Sequence, residues 1–222
     1  MNIKTLIKIY RKIAFDQRKE YDKIAFKYMK KCRNILDVGC GIGRFISLSP
    51  KRISGIDHSD DSIRICKKKG YNVTKANVKN LPFDSGSFDG VHSSHVIEHL
   101  YPEYAYEMLT ELVRVLKVGG IMVIRSPMLY EGFFDDFTHV KPYHPKALFH
   151  YLITEEKTDQ TTKSPINAKF KLLKLKYRRA PLFLGIEDTK LFFLTPIFNL
   201  LYGFGISSFK KTGYMLILKK IA

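Results

Sequence analysis

The chain has 222 residues, 45% apolar and 13% aromatic, enough to bury one large core, so a single domain with appendages is expected. Its three cysteines, Cys32, Cys40 and Cys66, form no C-x-x-C pair, which argues against a disulfide framework or a cysteine zinc site and for a reducing, cytoplasmic setting. The net charge of +17 sits in the flanks: residues 1–33 hold 11 Lys+Arg against 3 Asp+Glu, residues 34–150 hold 14 against 13, and residues 151–222 hold 13 against 5. Such flanks suit an anionic partner: a phosphate-bearing substrate, an anionic membrane surface or nucleic acid. No secretory leader is expected, because Lys4 and Lys8 interrupt the apolar pair Leu6-Ile7.

In residues 3–31, apolar residues recur at three- and four-residue steps among lysines and arginines, which predicts a basic amphipathic helix with a break near Phe15-Asp16. Residues 1–33 form this appendage and residues 34–222 the main domain.

Ile35 to Val38 then reads as a short buried strand interrupted by one acid, Asp37. It runs into glycines at 39, 41 and 43, with the first turn of a helix predicted over 44–47. Glycine lets a turn take positive φ and lets backbone approach a ligand, and helix N–H groups would point at whatever sits there. The D-x-G-x-G-x-G spacing differs from the dinucleotide pattern G-x-G-x-x-G, because the third glycine comes one residue early. It resembles the first motif of class I S-adenosylmethionine (SAM) methyltransferases. The segment from Tyr21 to Tyr28 is similar to the helix preceding the core in members of the ubiquinone-biosynthesis type, which makes Tyr21 and Tyr28 candidate lids.

Further along, Ile53 to Ile56 predicts a second strand ending in Asp57 and His58, followed by a helix over 62–69 and a third strand over 71–76. Residues 76–89, A-N-V-K-N-L-P-F-D-S-G-S-F-D, are similar to the family run G-D-A-x-x-L-P-F-x-x-x-S-F-D, with Asn77 where an Asp is usual. A fourth strand ends near Ser94, and His95-Val96-Ile97-Glu98-His99-Leu100 resembles the family's E-H-L segment. The resemblance implies SAM contacts from Asp37, Gly39, Cys40, Gly41, Gly43, Asp57, His58, Asn77, Val78 and Ser94, with Asp57 on the ribose hydroxyls. No metal is expected: His95, Glu98 and His99 do not follow the H-E-x-x-H order.

An amphipathic helix over 103–117 is predicted to end on a glycine cap at Gly119-Gly120, before an unbroken apolar strand, Ile121 to Ile124. The loop 126–143 carries D-x-T-H-V-K-P-Y, a pattern similar to methyltransferases of glycan and lipid-linked saccharide assembly. His139, beside Asp136, is the first candidate general base and His95 the second. A helix opens at Pro145, a polar loop covers 154–165, and strands are predicted over 170–177 and 212–220. Between these strands lies an insertion, 180–211, with an uncharged run from Leu191 to Ile206. That run is short of the ~20 residues that span a bilayer, and an interfacial anchor, a lid over a lipid-like substrate or a dimer face all fit it.

The expected fold is α/β: a Rossmann-like, seven-stranded, mostly parallel sheet with an antiparallel last strand and helices on both faces. The resemblance implies SAM as cofactor and in-line methyl transfer, in which the protein mainly aligns the reactants. The expected activity is O-methylation of a small-molecule, glycan or lipid-linked acceptor at a membrane surface. The alternatives are a quinone-type small-molecule methyltransferase, an RNA methyltransferase and a non-catalytic SAM-binding protein. Nucleic acid is the less favoured partner, since Ser93-Ser94-His95-Val96 stands where RNA enzymes carry Asn/Asp-Pro-Pro-aromatic.

Overall fold

A computed structural model describes residues 17–152, 166, 168–179 and 209–222, with isolated positions 194, 197 and 201. Residues 1–16 of the predicted first helix, the polar loop over 154–165 and nearly all of the apolar insertion lie outside the described residues. No helix among the described residues is long and apolar enough to cross a membrane.

The elements run α1 (Gln17–Tyr28), β1 (Ile35–Val38), β2 (Ile53–Asp57), α2 (Asp60–Lys68), β3 (Val73–Lys75), β4 (Phe88–Ser94), α3 (Pro102–Val115), β5 (Leu116–Pro127), α4 (Pro145–Leu152), β6 (Phe170–Arg179) and β7 (Lys211–Lys220). They build one seven-stranded sheet in the order β3-β2-β1-β4-β5-β7-β6. The first five strands pair in parallel, and β7 inserts antiparallel between β5 and β6. Strand β1 is buried at all four residues, as a parallel strand covered on both faces must be. On one face Met108, Leu112 and Val115 of α3 and Leu148 and Leu152 of α4 pack against Leu36, Val91 and Met122. On the other, Ala25 and Met29 beside α1 and Ile63 and Cys66 of α2 pack against Ile35, Ile53 and Val123.

Two local expectations are corrected. The glycine turn does not lead into an α-helix over 44–47 but into a short 3-10 turn, Ile46–Leu48. Pro50 pushes the preceding Ser49 out of the helical region, to φ −162° and ψ 76°, and stops the turn. Nor does α3 end on a glycine cap. Leu116 is already extended at φ −84°, ψ 128°, and both Gly119 and Gly120 lie inside β5. Lys220 of β7 donates instead to the carbonyls of Val113 and Leu116 at 2.9 Å each, meeting the orphan acceptors of the helix end.

The strand order reverses between β1 and β4, and such a switch point leaves a crevice at the carboxyl ends of the strands. Parallel registry sets Asp37 opposite His92 there.

Candidate active site

The crevice opens as a cleft of ≈ 730 Å³ at the ends of β1, β4 and β5. Gly39, Gly41 and Gly43 form its floor, with φ of +72°, +51° and +79°. Asp37, Cys40, Ser94, His95 and His139 also line it, so most of the residues singled out from the sequence meet around one space.

Asp37 is buried and takes a 2.7 Å hydrogen bond from Nδ1 of His92, itself buried and stacked on Phe45 with ring centroids 3.8 Å apart. That contact makes Nδ1 the protonated nitrogen of His92 and leaves a lone pair on Nε2. Nε2 of His92 and the hydroxyl of Ser94 are buried without a protein partner, and both residues line the cleft. Buried polar atoms of this kind call for a ligand or water. A Cβ on Gly41 would meet no atom within 4 Å, so the open cradle above the loop exists because residue 41 lacks a side chain.

Asp57 sits one step away, at the end of β2. One of its oxygens accepts the Gly41 N–H at 2.8 Å and the other the Ser59 N–H at 2.9 Å. A carboxylate offers about four acceptor sites, so two remain for a pair of ribose hydroxyls. The structure does not bring Asp57, His58, Asn77 or Val78 onto the wall of the cleft. The His58 side chain is 93% exposed, and the Asn77 carboxamide accepts the Lys79 N–H at 3.0 Å.

Tyr21 is no lid. It is buried in the core beneath Arg125 and Lys176, whose charged groups lie 5.3 Å and 5.2 Å from its ring, and its hydroxyl reaches the Tyr177 carbonyl at 3.4 Å. Tyr28 is partly exposed and does not line the cleft. The residue of α1 that does face the cleft is Asp22, buried between Arg44 of the glycine turn and Arg125 of β5.

A second cluster of polar side chains is built where β4 ends. His95 takes φ +58°, the left-handed region that a residue with a side chain enters at a cost, and its N–H is held by the Arg125 carbonyl at 3.0 Å. Its Nδ1 lies 3.0 Å from a carboxylate oxygen of Glu98, which is fully buried. Although 39% of the His95 side chain is open to the cleft, burial of the ring lowers its pKa, outweighing the opposite pull of Glu98. His139 is arranged differently from the expectation. Its Nδ1 is on the Phe133 carbonyl, and Asp136 stands 3.8 Å from its Nε2, beyond hydrogen-bonding reach. Asp136 spends one oxygen on the hydroxyl and N–H of Thr138, which hold its carboxyl below the usual range. The carboxylate–imidazole dyad is therefore Glu98–His95.

Asp22, His92 and Arg125 were missed from sequence, and faint signals existed. Asp22 is one of three acids in the basic first 33 residues, and His92 is an ionisable side chain in the middle of a short predicted strand.

A methyltransferase-domain family model matches residues 36–124. A tRNA (carboxymethyluridine(34)-5-O)-methyltransferase of Arabidopsis thaliana is 40% identical over 92 residues, which are 40% of this chain and 23% of that one. A phthiotriol/phenolphthiotriol dimycocerosates methyltransferase of Mycobacterium tuberculosis is 36% identical over 97 residues, 40% of this chain and 35% of that one. The chain thus spans about a quarter to a third of the length of these curated relatives. A SAM-dependent methyltransferase from Archaeoglobus fulgidus matches in structure with a TM-score of 0.63 and 27% identity, covering 92% of this chain and 94% of its own. With the sheet order, the glycine turn and the acids at the ends of β1 and β2, these likenesses support a class I SAM-dependent methyltransferase domain, matched in sequence over residues 36–124.

Proposed function

We propose that this protein transfers a methyl group from SAM to a hydroxyl of a small, saccharide or lipid-linked acceptor. The observation that carries the reading is the meeting, in one cleft, of the glycine cradle with His95, whose ring is backed by the buried Glu98 carboxylate. The cradle fits the cofactor, since buried Nε2 of His92 and Oγ of Ser94 await a partner there. Gly39, Gly41 and Gly43 would hold SAM against the sheet, and Asp57 would hold its ribose. When bound, SAM supplies a methyl group already activated by a sulfonium, so the chain's tasks are alignment and disposal of one proton.

That proton is the business of His95. Glu98 accepts from Nδ1 and so fixes the tautomer that carries a lone pair on Nε2, the arrangement a general base needs. Burial of Glu98 keeps its carboxylate from rotating into water, and the Val140 and Lys141 N–H groups hold the Glu98 carbonyl at 2.8 and 3.2 Å. An apolar or lipid-linked acceptor is supported by the loop after β5, which presents Leu129, Phe134 and Phe137 at 65%, 61% and 100% exposure. The charge of +17 is what favours RNA instead, and a steep loss of affinity with salt would mark that acceptor.

The test is calorimetric titration of SAM followed by transfer of labelled methyl to panels of hydroxylated lipids, lipid-linked saccharides, quinols and RNA. His95→Gln should bind SAM as the parent does and lose about 10²–10⁴-fold in kcat. Equal turnover by His95→Gln would remove the base from the mechanism, and failure to bind SAM would remove the reading as a whole.

A further inference from the structure

We propose that Glu98, His99 and His139 form a binding site for a zinc-class divalent ion on the acceptor side of the cleft. One donor atom from each of the three lies within 4.8 Å of the other two. They come from two separate stretches, the 3-10 turn Ile97–His99 after β4 and the loop after β5, which is why the order of residues within 95–99 alone gave no metal pattern.

The hydrogen bonds decide which nitrogens are free. The Thr138 hydroxyl has one proton, and it goes to Asp136 at 2.6 Å. Facing Nδ1 of His99 at 2.9 Å, that hydroxyl can then only accept, as can the Thr138 carbonyl at 3.2 Å. Nδ1 of His99 therefore carries the proton and Nε2 the lone pair. His139 is fixed in the same sense, because a carbonyl, that of Phe133, faces its Nδ1. Both imidazoles are thus held as the Nδ1–H tautomer by oxygen acceptors, with Nε2 left to bind. This is the outer-shell arrangement that orients histidine ligands on a metal. The rings lie 4.9 Å apart between centroids, tilted by 55°.

Glu98 supplies the anionic ligand. One of its oxygens is taken by His95, and among the described residues the other has only the Ser126 hydroxyl at 3.4 Å, which also reaches the Pro127 carbonyl at 3.3 Å. A fully buried carboxylate with a weakly used oxygen, beside two imidazoles whose Nδ1 atoms face oxygen acceptors, is an anionic donor set that a divalent ion would neutralise. Two nitrogens and one carboxylate oxygen suit zinc or cobalt, whereas magnesium and calcium prefer all-oxygen shells. Ligands at about 2.0–2.2 Å from one ion stand roughly 3.4 Å apart, so the cluster must tighten when the ion binds.

The role of the ion rests on the hydroxyl-acceptor reading above, and its binding does not. Three protein ligands leave a fourth position open, where an acceptor hydroxyl would bind and become more acidic, its proton passing to His95.

The experiment uses the full chain, freed of metal and of any histidine tag, titrated with Zn²⁺ by calorimetry and with Co²⁺ by visible absorption. One ion per chain is expected, with Co²⁺ giving the intense absorption of a four-coordinate site and Mg²⁺ giving no heat. His99→Ala and His139→Ala should each weaken Zn²⁺ binding by at least about 100-fold. His139→Cys, which keeps a ligand, should retain it, and Thr138→Val, which removes one acceptor of the Nδ1 proton, should cost about 10-fold. SAM titration of every variant shows that the fold and cradle persist. Normal SAM binding with no Zn²⁺ uptake, or uptake unchanged in both alanine variants, overturns the metal site alone. Zn²⁺ uptake lost in those variants while SAM fails to bind even the parent upholds the site and overturns the methyl-transfer reading.

Discussion

Gly39→Ala tests the cradle most directly, because its cost divides into two measurable parts. The first is backbone strain: at φ +72° an L-residue is left-handed, at about 1–2 kcal/mol. The second is steric, since the new Cβ would overlap Cγ2 of Val96 while standing 3.6 Å from Val96 Cβ, an ordinary contact. Overpacking of this kind costs about 1–3 kcal/mol, so the total is about 2–5 kcal/mol. Gly41→Ala is the internal control: φ is +51° and its Cβ meets nothing within 4 Å, leaving strain alone at about 1–2 kcal/mol. In a chain of this size each kcal/mol moves Tm by about 2–4 °C, which calorimetry resolves. Val96→Ala deletes the clashing methyl, so in a double-mutant cycle Gly39→Ala should cost about 1–3 kcal/mol less on the Val96→Ala background. Gly39→Ala no less stable than Gly41→Ala, or zero coupling to Val96, refutes the described packing of turn against turn.

Other substitutions probe the walls. Asp22→Asn leaves the Arg125 guanidinium buried without its carboxylate and should lose about 3–5 kcal/mol in urea unfolding, with Asp22→Asn/Arg125→Met regaining much of it. A stable single variant would show that Arg125 has another counter-ion. Asp57→Ala should weaken SAM in calorimetry by about 10–100-fold, the worth of hydrogen bonds to a charged group, and unchanged affinity would place the ribose elsewhere. His92→Leu keeps the volume but strands the buried Asp37 carboxylate; a loss of about 1–3 kcal/mol in urea unfolding is expected, and stability within 0.5 kcal/mol of the parent would mean that the pair is incidental.

The strands could be read ahead because each is a short apolar run bounded by turn residues, as Ile35 to Val38 shows. The antiparallel direction of the last strand came from family resemblance, since no local pattern encodes strand direction or order. The end of α3 was misread for the opposite reason. Its helical periodicity runs on past Val115, but Leu116 pairs with Phe88 in the sheet, and the helix-end carbonyls are met by a lysine more than 100 residues later in the chain. At the site, Asp37 and Gly39 announce themselves through spacing. The Glu98–His95 dyad and the tautomers of His99 and His139 do not, because they depend on loop carbonyls and a threonine hydroxyl brought together only by folding. Asp136, three residues before His139, suggested a pair, but the geometry gives its carboxylate to Thr138.

The way the loop after β5 is fastened bears on how such a protein could diversify. Its return is bolted to the Glu98 carbonyl by two backbone N–H groups, and the Tyr143 hydroxyl donates to the Leu100 carbonyl at 2.9 Å. Between Met128 and Phe137, by contrast, Leu129, Phe134 and Phe137 face solvent around the buried anchor Phe133. Composition at those three exposed positions can drift without disturbing His95, Glu98 or the glycine turn. Selection, or a designer, could exchange these side chains to change what is methylated while inheriting the proton-handling apparatus intact.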